Sequence, residues 1–259
     1  MDNKINIIAV VQARMGSSRL PGKVMMDLVG KPLLWHIVNR LEYSELIDRI
    51  VVATGKGKEN DVIEGLCKEY NFTCYRGSED DLTDRFYQVS KQFGANVIVR
   101  VTADCPLVDP GLVDKLTEIF MENIDSYDYV SNCRPQSTFP HGLDAEVFSY
   151  TLLEKLWREI KDPFRREWFT TVIFENPEKY NLFCLKNDVN LSHLRLTVDY
   201  KEDLELVRYI FRNLYTENAC FTLQDILELY SRKQDMFNIN SKYKKDEQYI
   251  EELEKRSLS

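Results

Sequence analysis

Apolar runs alternate with helical patterns through the first half of the chain. The run INIIAVVQA is typical of a strand buried on both faces of a sheet, and ANVIVRVTADCP predicts another buried strand. DRIVVATG and FTCYRG also predict strands. Four segments that follow them have the apolar spacing of helices: KPLLWHIVNRL, ENDVIEGLCKEY, DLTDRFYQVSKQF and DPGLVDKLTEIF. Strands that alternate with helices pair in parallel through right-handed crossovers. The sequence therefore predicts an α/β fold, Rossmann-like, with a mainly parallel sheet flanked by helices.

The alternation ends after Asn132, where the loop RPQSTFPHG follows one more predicted strand, YDYVSN. Beyond the loop we predict strands at LDAEVFSY, YNLFCLKN and HLRLTVD. We predict helices at TLLEKLWREI (capped by Thr151), DPFRREWFTTVIFEN, KEDLELVRYIFRNL and TLQDILELYSRK. The patterns indicate one domain over residues 1–239, with a smaller inserted α+β region at about residues 133–192. Residues 240–259 are charged and weakly apolar, which predicts a tail or a peripheral helix.

The charge of the chain limits its partners. A formal net charge of -8 and a pI near 5.1 argue against nucleic-acid or anionic-membrane binding, because both need a broad basic face. We expect a cytoplasmic protein, because the sequence has no signal-peptide pattern and no stretch near the roughly 18 apolar residues of a membrane span. The six cysteines are scattered without a CxxC pair, so we expect reduced thiols.

One basic loop follows the first predicted strand, in VVQARMGSSRLPGK, and no acidic residue occurs between Asp2 and Asp27. Ligands of open parallel sheets bind at the carboxyl ends of the strands, where this loop should lie. Glycine backbone and cationic side chains there predict a phosphate-binding loop, although the loop is neither a Walker A motif nor GxGxxG. The alternative is a solvated basic surface loop. The candidate nucleotide-binding residues of this loop are Ala13, Arg14, Gly16, Ser17, Arg19 and Lys23.

Several blocks resemble the cytidylyltransferases that make CMP-sugars: the CMP-Kdo and CMP-sialic acid synthetases, and above all the spore-coat polysaccharide type. The blocks run in the order of that family from about Ile7 to Phe211: ARMGSSRLPGK, RGSEDDLTDRFYQ, VIVRVTADCPLVDP, HGLDAEVFSYTLLEKLW and LRLTVDYKEDLELVR. The resemblance implies a Mg²⁺-dependent enzyme that transfers CMP from CTP to a sugar acid or related acceptor. Pyrophosphate would be the second product, and the CMP-linked product would serve cell-surface polysaccharide biosynthesis.

The resemblance assigns roles to the basic loop and to two aspartates. Arg14 and Lys23 would bind phosphate oxygens of CTP, with Arg19 as a third candidate, and their charge would stabilise the leaving pyrophosphate. Asp104 and Asp199 end two predicted strands and would hold Mg²⁺. The alternative for each aspartate is a helix N-cap, the role that we predict for Asp109. The resemblance thus implies that Arg14, Lys23 and Asp104 are catalytic.

Other candidate residues would bind the base and the acceptor. For the cytosine base the candidates follow the second and third strands: Thr54, Arg76, Ser78, Asp84 and Arg85. For the acceptor they are Asp144 and Glu146, which alternate on one strand, and Arg165 and Arg166. The alternative for the two arginines is a helix-surface ion pair with Glu167. The chain departs from the family at His141, where related proteins have Asp, and at Trp168, where they have His.

The expected partners are CTP, a small-molecule acceptor and a second copy of the chain. A homodimer is common in the family, and the apolar content of TLLEKLWREIKDPFRREWFTTVIF exceeds what a small helix pair needs to bury. Three alternatives to the cytidylyltransferase remain. These are a nucleotidyltransferase with another base or with a phosphorylated or phosphonate acceptor, a nucleotide-sugar glycosyltransferase, and a non-catalytic nucleotide-binding paralogue.

Overall fold

The computed structural model describes residues 4–216 and 220–257, and its centre is a seven-stranded sheet. The sheet order is β5-β4-β1-β6-β8-β7-β9, and only β8 runs antiparallel to its neighbours. A separate hairpin consists of β2 and β3. The mainly parallel sheet is confirmed. The strands are β1 (Ile7–Gln12), β2 (Asp27–Leu28), β3 (Lys31–Pro32), β4 (Arg49–Gly55), β5 (Thr73–Gly77), β6 (Val97–Thr102), β7 (Tyr129–Ser131), β8 (Glu146–Ser149) and β9 (Leu182–Cys184).

Helices cover both faces of this sheet. Strand β1 shows why: Ile7, Ala9 and Val11 face one hydrophobic core, and Ile8 and Val10 face the other. The first core is closed by α1, α2, α4, α8 and α9, and the second by α3, α5 and α7. The helices are α1 (Leu33–Leu41), α2 (Asp61–Glu69), α3 (Leu82–Gln92), α4 (Pro110–Glu122), α5 (Tyr150–Glu159), α6 (Pro163–Glu167), α7 (Thr171–Phe174), α8 (Lys201–Leu214), α9 (Leu223–Arg232), α10 (Gln234–Phe237) and α11 (Glu247–Ser257).

Three local predictions in the second half are wrong. The segment HLRLTVD is not a strand: it makes a single bridge, between Arg195 and His141, and its backbone bonds to loops. The predicted helix DPFRREWFTTVIFEN is two short helices, α6 and α7. The cap of α5 is Ser149, whose hydroxyl accepts a hydrogen bond from the Leu152 amide, and Thr151 lies inside the helix.

The apolar side chains of the α5–α7 region pack inside the chain. Leu153, Leu156, Phe169 and Ile173 are all buried in the second core. The apolar content of this segment is therefore used within the protomer and is no argument for a dimer interface. Within residues 4–216 and 220–257, no helix is both long and apolar enough to cross a membrane.

The charged C-terminal segment contains helix α11, and residues 258–259 of the predicted tail lie outside the described residues. The segment is not remote from the rest of the molecule. Residue 244 and residues 246–249 line the same cavity as the basic loop, at the carboxyl edge of the sheet.

Candidate active site

A cavity of about 230 Å³ lies at the carboxyl ends of β1 and β6. Ligands of open parallel sheets bind at this edge, so the cavity lies where the sequence predicts a site. Its walls come from the basic loop, from the end of β6, from residues 133–146 and from the C-terminal segment. Predicted site residues that line it are Ala13, Arg14, Gly16, Ser17, Arg19, Lys23, Arg85, Asp104, Asp144, Glu146 and Asp199.

Lys23 is the centre of the charged cluster in this cavity. Its Nζ lies 3.1 Å from Asp104 Oδ2 and 2.8 Å from Asp199 Oδ1. Arg19 approaches the same Asp199 oxygen at 2.5 Å. The basic loop reaches this position through Gly22, whose φ of 72° is in the region that favours glycine, directly before the 3₁₀ turn Lys23–Met25. The structure thus brings together the predicted phosphate and metal residues.

Lys23 is also buried, with 8% of its surface exposed. Burial alone would lower the pKa of the Lys23 ammonium, but the carboxylates of Asp104 and Asp199 outweigh burial and raise that pKa. Burial likewise acts to raise the pKa values of the two aspartates, but Lys23 holds both below the usual range, with help from Arg19 at Asp199. All three groups are therefore charged at neutral pH.

Asp199 is held by a network of buried charges. The Arg195 guanidinium donates to Asp199 Oδ2 at 2.9 Å and to Asp203 Oδ1 at 2.9 Å. Asp203 also accepts hydrogen bonds from the backbone amides of Asp199 and Tyr200, both at 2.9 Å. These bonds give partners to the amide groups that precede the first turn of α8. The helix-cap alternative for Asp199 is therefore wrong, because Asp203 performs that task and Asp199 points at Lys23.

The helix-cap alternative for Asp104 is also wrong. The cap of α4 is Asp109, as predicted, since its side chain accepts from the Leu112 amide at 3.1 Å. The backbone of Asp104 anchors the HLRLTVD segment instead: its carbonyl accepts from the Val198 amide at 2.8 Å and from Thr197 Oγ1 at 3.1 Å. This contact explains how the Asp199 carboxylate reaches the sheet edge without a strand.

Gly142 allows the loop that carries His141 to pack closely against the backbone of the HLRLTVD segment. Its φ is +109°, and a Cβ there would lie 2.4 Å from the Leu196 carbonyl carbon. A side chain would therefore push the HLRLTVD segment away from the loop that carries His141. His141 itself lines the cavity, and burial lowers its pKa.

The other predicted nucleotide-binding residues divide into two groups. Arg14 lines the cavity and pairs with Glu167 at 3.1 Å, while buried Arg85 donates to the carbonyls of Ser78 and Glu79, both at 2.8 Å. Thr54, Arg76, Ser78 and Asp84 do not line this cavity. Arg76 pairs with acidic side chains of α2, and Asp84 accepts a hydrogen bond from Trp157.

The predicted acceptor residues divide in the same way. Asp144 and Glu146 both line the cavity, and Glu146 pairs with Arg100 and accepts from Tyr129 at 2.7 Å. The two arginines of α6 lie outside the cavity wall. Arg165 pairs with Glu175, and Arg166 pairs with Asp81 and donates to two backbone carbonyls. Both arginines therefore form ion pairs, which was the alternative to acceptor binding, but their partners are Glu175 and Asp81 and not Glu167.

Sequence reasoning missed several charged residues of the cavity. Arg100 had a visible signal, because it interrupts the buried run VIVRV. Arg195 interrupts LRLTV in the same way. The members from the C-terminal segment had no such signal. The missed charged residues that line the cavity are Arg100, Arg134, Glu167, Arg195, Lys244, Asp246 and Glu247.

Cys105 lines the cavity but has the properties of a packed residue. It is 2% exposed, and its sulfur lies 3.2 Å from Thr102 Oγ1. Burial raises the pKa of the Cys105 thiol well above its usual value, and neighbouring carboxylates raise it further. The thiol is therefore not an activated nucleophile.

A sheet of this topology, with a basic loop facing two carboxylates, is the arrangement expected of a nucleotidyltransferase. Residues 8–242 match the family model described as cytidylyltransferase. The chain belongs to this family, and it is a nucleotidyltransferase.

Relatives that match most of the chain are consistent with this family assignment. An uncharacterized protein of Methanocaldococcus jannaschii is 36% identical over 92% of this chain and 95% of its own. The spore coat polysaccharide biosynthesis protein SpsF of Bacillus subtilis is 32% identical over 89% of this chain and 96% of its own. The solved structure of a cytidylyltransferase from Leptospira borgpetersenii has a TM-score of 0.84 and 31% identity, and the match covers 90% of this chain and 96% of that one.

Proposed function

We propose that the protein transfers CMP from CTP to a sugar acid or related polyhydroxylated acceptor and releases pyrophosphate. The observation that supports this proposal most is the position of Lys23, which the basic loop places between Asp104 and Asp199. The name of the SpsF relative, a polysaccharide biosynthesis protein, supports a role in making cell-surface polysaccharide. We further infer a cytoplasmic enzyme, because CTP is an intracellular nucleotide.

The chemistry of the proposed step is a direct displacement. A hydroxyl oxygen of the acceptor forms a bond to the α-phosphorus of CTP, and the bond from that phosphorus to the bridging oxygen breaks. The hydroxyl proton passes to solvent or to a carboxylate of the cavity, and the bridging oxygen leaves with pyrophosphate. Arg14, Arg19 and Lys23 supply the positive charge that stabilises this leaving group. No enzyme nucleophile is needed, in keeping with the buried, protonated Cys105.

Asp104 and Asp199 form a donor set that fits Mg²⁺. Their carboxylate oxygens converge on one point, which the Lys23 ammonium now fills. Among the described residues no group of three or more potential ligand side chains forms a complete metal cage. Mg²⁺ commonly takes one or two protein carboxylates together with phosphate oxygens and water, so two carboxylates suffice. Bound there, Mg²⁺ would polarise the α-phosphate and offset charge on the leaving group.

The proposal is tested by pyrophosphate release. We expect release with CTP, Mg²⁺ and at least one member of a panel of sugar acids that includes 3-deoxy-manno-octulosonate. We expect CTP to outperform ATP, GTP and UTP at equal concentration. Equal rates with all four nucleotides, or release only with phosphorylated or phosphonate acceptors, would favour the alternative nucleotidyltransferase. Binding of CTP without any pyrophosphate release would favour a non-catalytic paralogue.

We also propose a homodimer, and the support for it is the family resemblance. Light scattering at micromolar concentration should give about twice the 30.5 kDa mass of the chain. A monomer at that concentration would contradict the proposal.

A further inference from the structure

The last part of the chain forms one wall of the cavity. We call residues 240–257 the C-terminal strap. Five strap residues line the cavity: Lys244, Asp246, Glu247, Gln248 and Tyr249. All five lie beyond residue 242, where the match to the family model ends. This part of the site is therefore built by residues that the shared family pattern does not specify.

The strap meets the cavity at its acceptor side. Asp246 forms an ion pair with Arg134, which donates to it at 2.7 Å. Tyr249 packs its ring against Trp168, with ring centres 5.3 Å apart. Lys245 Nζ lies 3.0 Å from Asp144 Oδ2. Asp144 is one of the acceptor candidates from the sequence, and Trp168 lies two residues after another, Arg166.

Buried polar atoms with unused hydrogen-bonding capacity lie where the strap contacts Asp144. Asp144 Oδ1 is buried without a hydrogen-bond partner among the described residues, and the buried Lys245 Nζ has only its ion pair with Asp144 Oδ2. Burial of such atoms is costly unless a ligand or water satisfies them. Burial acts to raise the pKa of Asp144, but Lys245 and His141 keep it below its usual value. Asp144 is therefore an ionised carboxylate with one oxygen left to accept a hydrogen bond.

We propose that the strap is the acceptor-specificity element of this enzyme. Residues 246–249 contact the acceptor, and Lys245 is a positioning residue that orients Asp144 to accept a hydrogen bond from an acceptor hydroxyl. The inference rests on the proposed CMP transfer and names the recognised chemistry: a polyhydroxylated acceptor. Phosphate binding by the basic loop does not depend on residues 246–249, because Arg14, Arg19 and Lys23 pair with residues outside the strap.

The part of the strap that follows residue 244 can be removed without disturbing the cores. None of its described residues belongs to either hydrophobic core, and Ile250 and Leu253 are 48% and 40% exposed. The exception to its peripheral packing is Asn240, which donates to Asp203 Oδ1 at 2.8 Å and to the Arg195 carbonyl at 2.9 Å. A deletion of residues 245–259 retains Asn240 and the Tyr243 ring stacked on Tyr200.

The test compares this deletion with point variants, using the acceptor panel. We expect the deletion to raise the KM for the acceptor about 10-fold or more and to reduce the differences in kcat/KM among acceptors. The KM for CTP should remain unchanged within about 2-fold. Gln248→Ala should change the ratio of kcat/KM between two acceptors by about 3-fold or more. The matched control is Glu251→Ala, an exposed position on the same helix that does not line the cavity.

Variants at Lys245 separate positioning from simple stability. Lys245→Met should raise the KM for the acceptor with little change in kcat, and Lys245→Arg should restore most of the affinity. If the deleted protein fails to fold, as judged by circular dichroism, the point variants decide. An unchanged acceptor KM and ranking in Gln248→Ala and Lys245→Met would overturn the strap proposal and leave CMP transfer intact. A wild-type protein that uses no acceptor would overturn both.

Discussion

Asp104→Asn should reduce turnover by at least about 100-fold while the protein remains folded. The substitution keeps the shape of the side chain, and the backbone carbonyl of residue 104 still anchors Thr197 and Val198. It removes one of the two carboxylates that face Lys23 and would hold Mg²⁺. Steady-state kinetics at limiting and at saturating Mg²⁺ measure the effect. We expect added Mg²⁺ to recover part of the lost rate, because the metal site is weakened and not destroyed.

The Asp104→Asn experiment also needs a binding measurement and a control. CTP without metal should still raise the melting temperature of the variant, because the basic loop is intact. Asp80→Asn is a matched control, since Asp80 is exposed and does not line the cavity. Normal turnover of Asp104→Asn at limiting Mg²⁺ would show that the metal role is wrong.

Lys23→Ala should lower both CTP affinity and stability. A charge-assisted contact is worth roughly 1.5–3 kcal/mol, so we expect kcat/KM to fall about 10- to 100-fold. The substitution also leaves two carboxylates facing each other, because Lys23 is buried between them. Loss of one partner of a buried ion pair typically costs about 3–5 kcal/mol, and we expect about 2–3 here because Arg19 remains beside Asp199.

Added Mg²⁺ tests whether the lost stability of Lys23→Ala comes from repulsion between the two carboxylates. Mg²⁺ should raise the melting temperature of Lys23→Ala more than that of the wild type, because the cation can take the place of the missing ammonium between the carboxylates. Lys56→Ala serves as the control, since Lys56 is exposed. A Lys23→Ala protein with wild-type stability and no response to Mg²⁺ would contradict the cluster that the structure shows.

The features that could be predicted from the sequence are those with local signals. Apolar runs predict buried parallel strands, and β1, β4 and β6 lie where those runs occur. The predicted strand β5 is also present, but it lies at the edge of the sheet and is only partly buried. The acid-free basic loop and the two aspartates were also visible, because each follows or interrupts an apolar segment. The edge of a parallel sheet then brings such residues together, even though Lys23 and Asp199 are 176 residues apart.

The features that could not be predicted depend on distant contacts. The sequence order suggests nothing of β8 inserting antiparallel between β6 and β7, because strand pairing of that kind is set by tertiary packing. The burial of Lys23 could not be predicted for a similar reason: a lysine in a polar loop is ordinarily exposed, and only its two carboxylate partners make burial tolerable. The strap was missed because charged, weakly apolar sequence has no pattern that indicates a site.

The central claim, that this chain transfers CMP from CTP, is tested most directly by following the phosphorus atoms. CTP labelled separately at the α- and γ-phosphorus would be incubated with the protein, Mg²⁺ and the preferred acceptor. We predict that the α-label appears only in a CMP ester of the acceptor and the γ-label only in pyrophosphate, in equal amounts. Release of the α-label as free CMP regardless of acceptor, or of the γ-label as orthophosphate, would contradict the account.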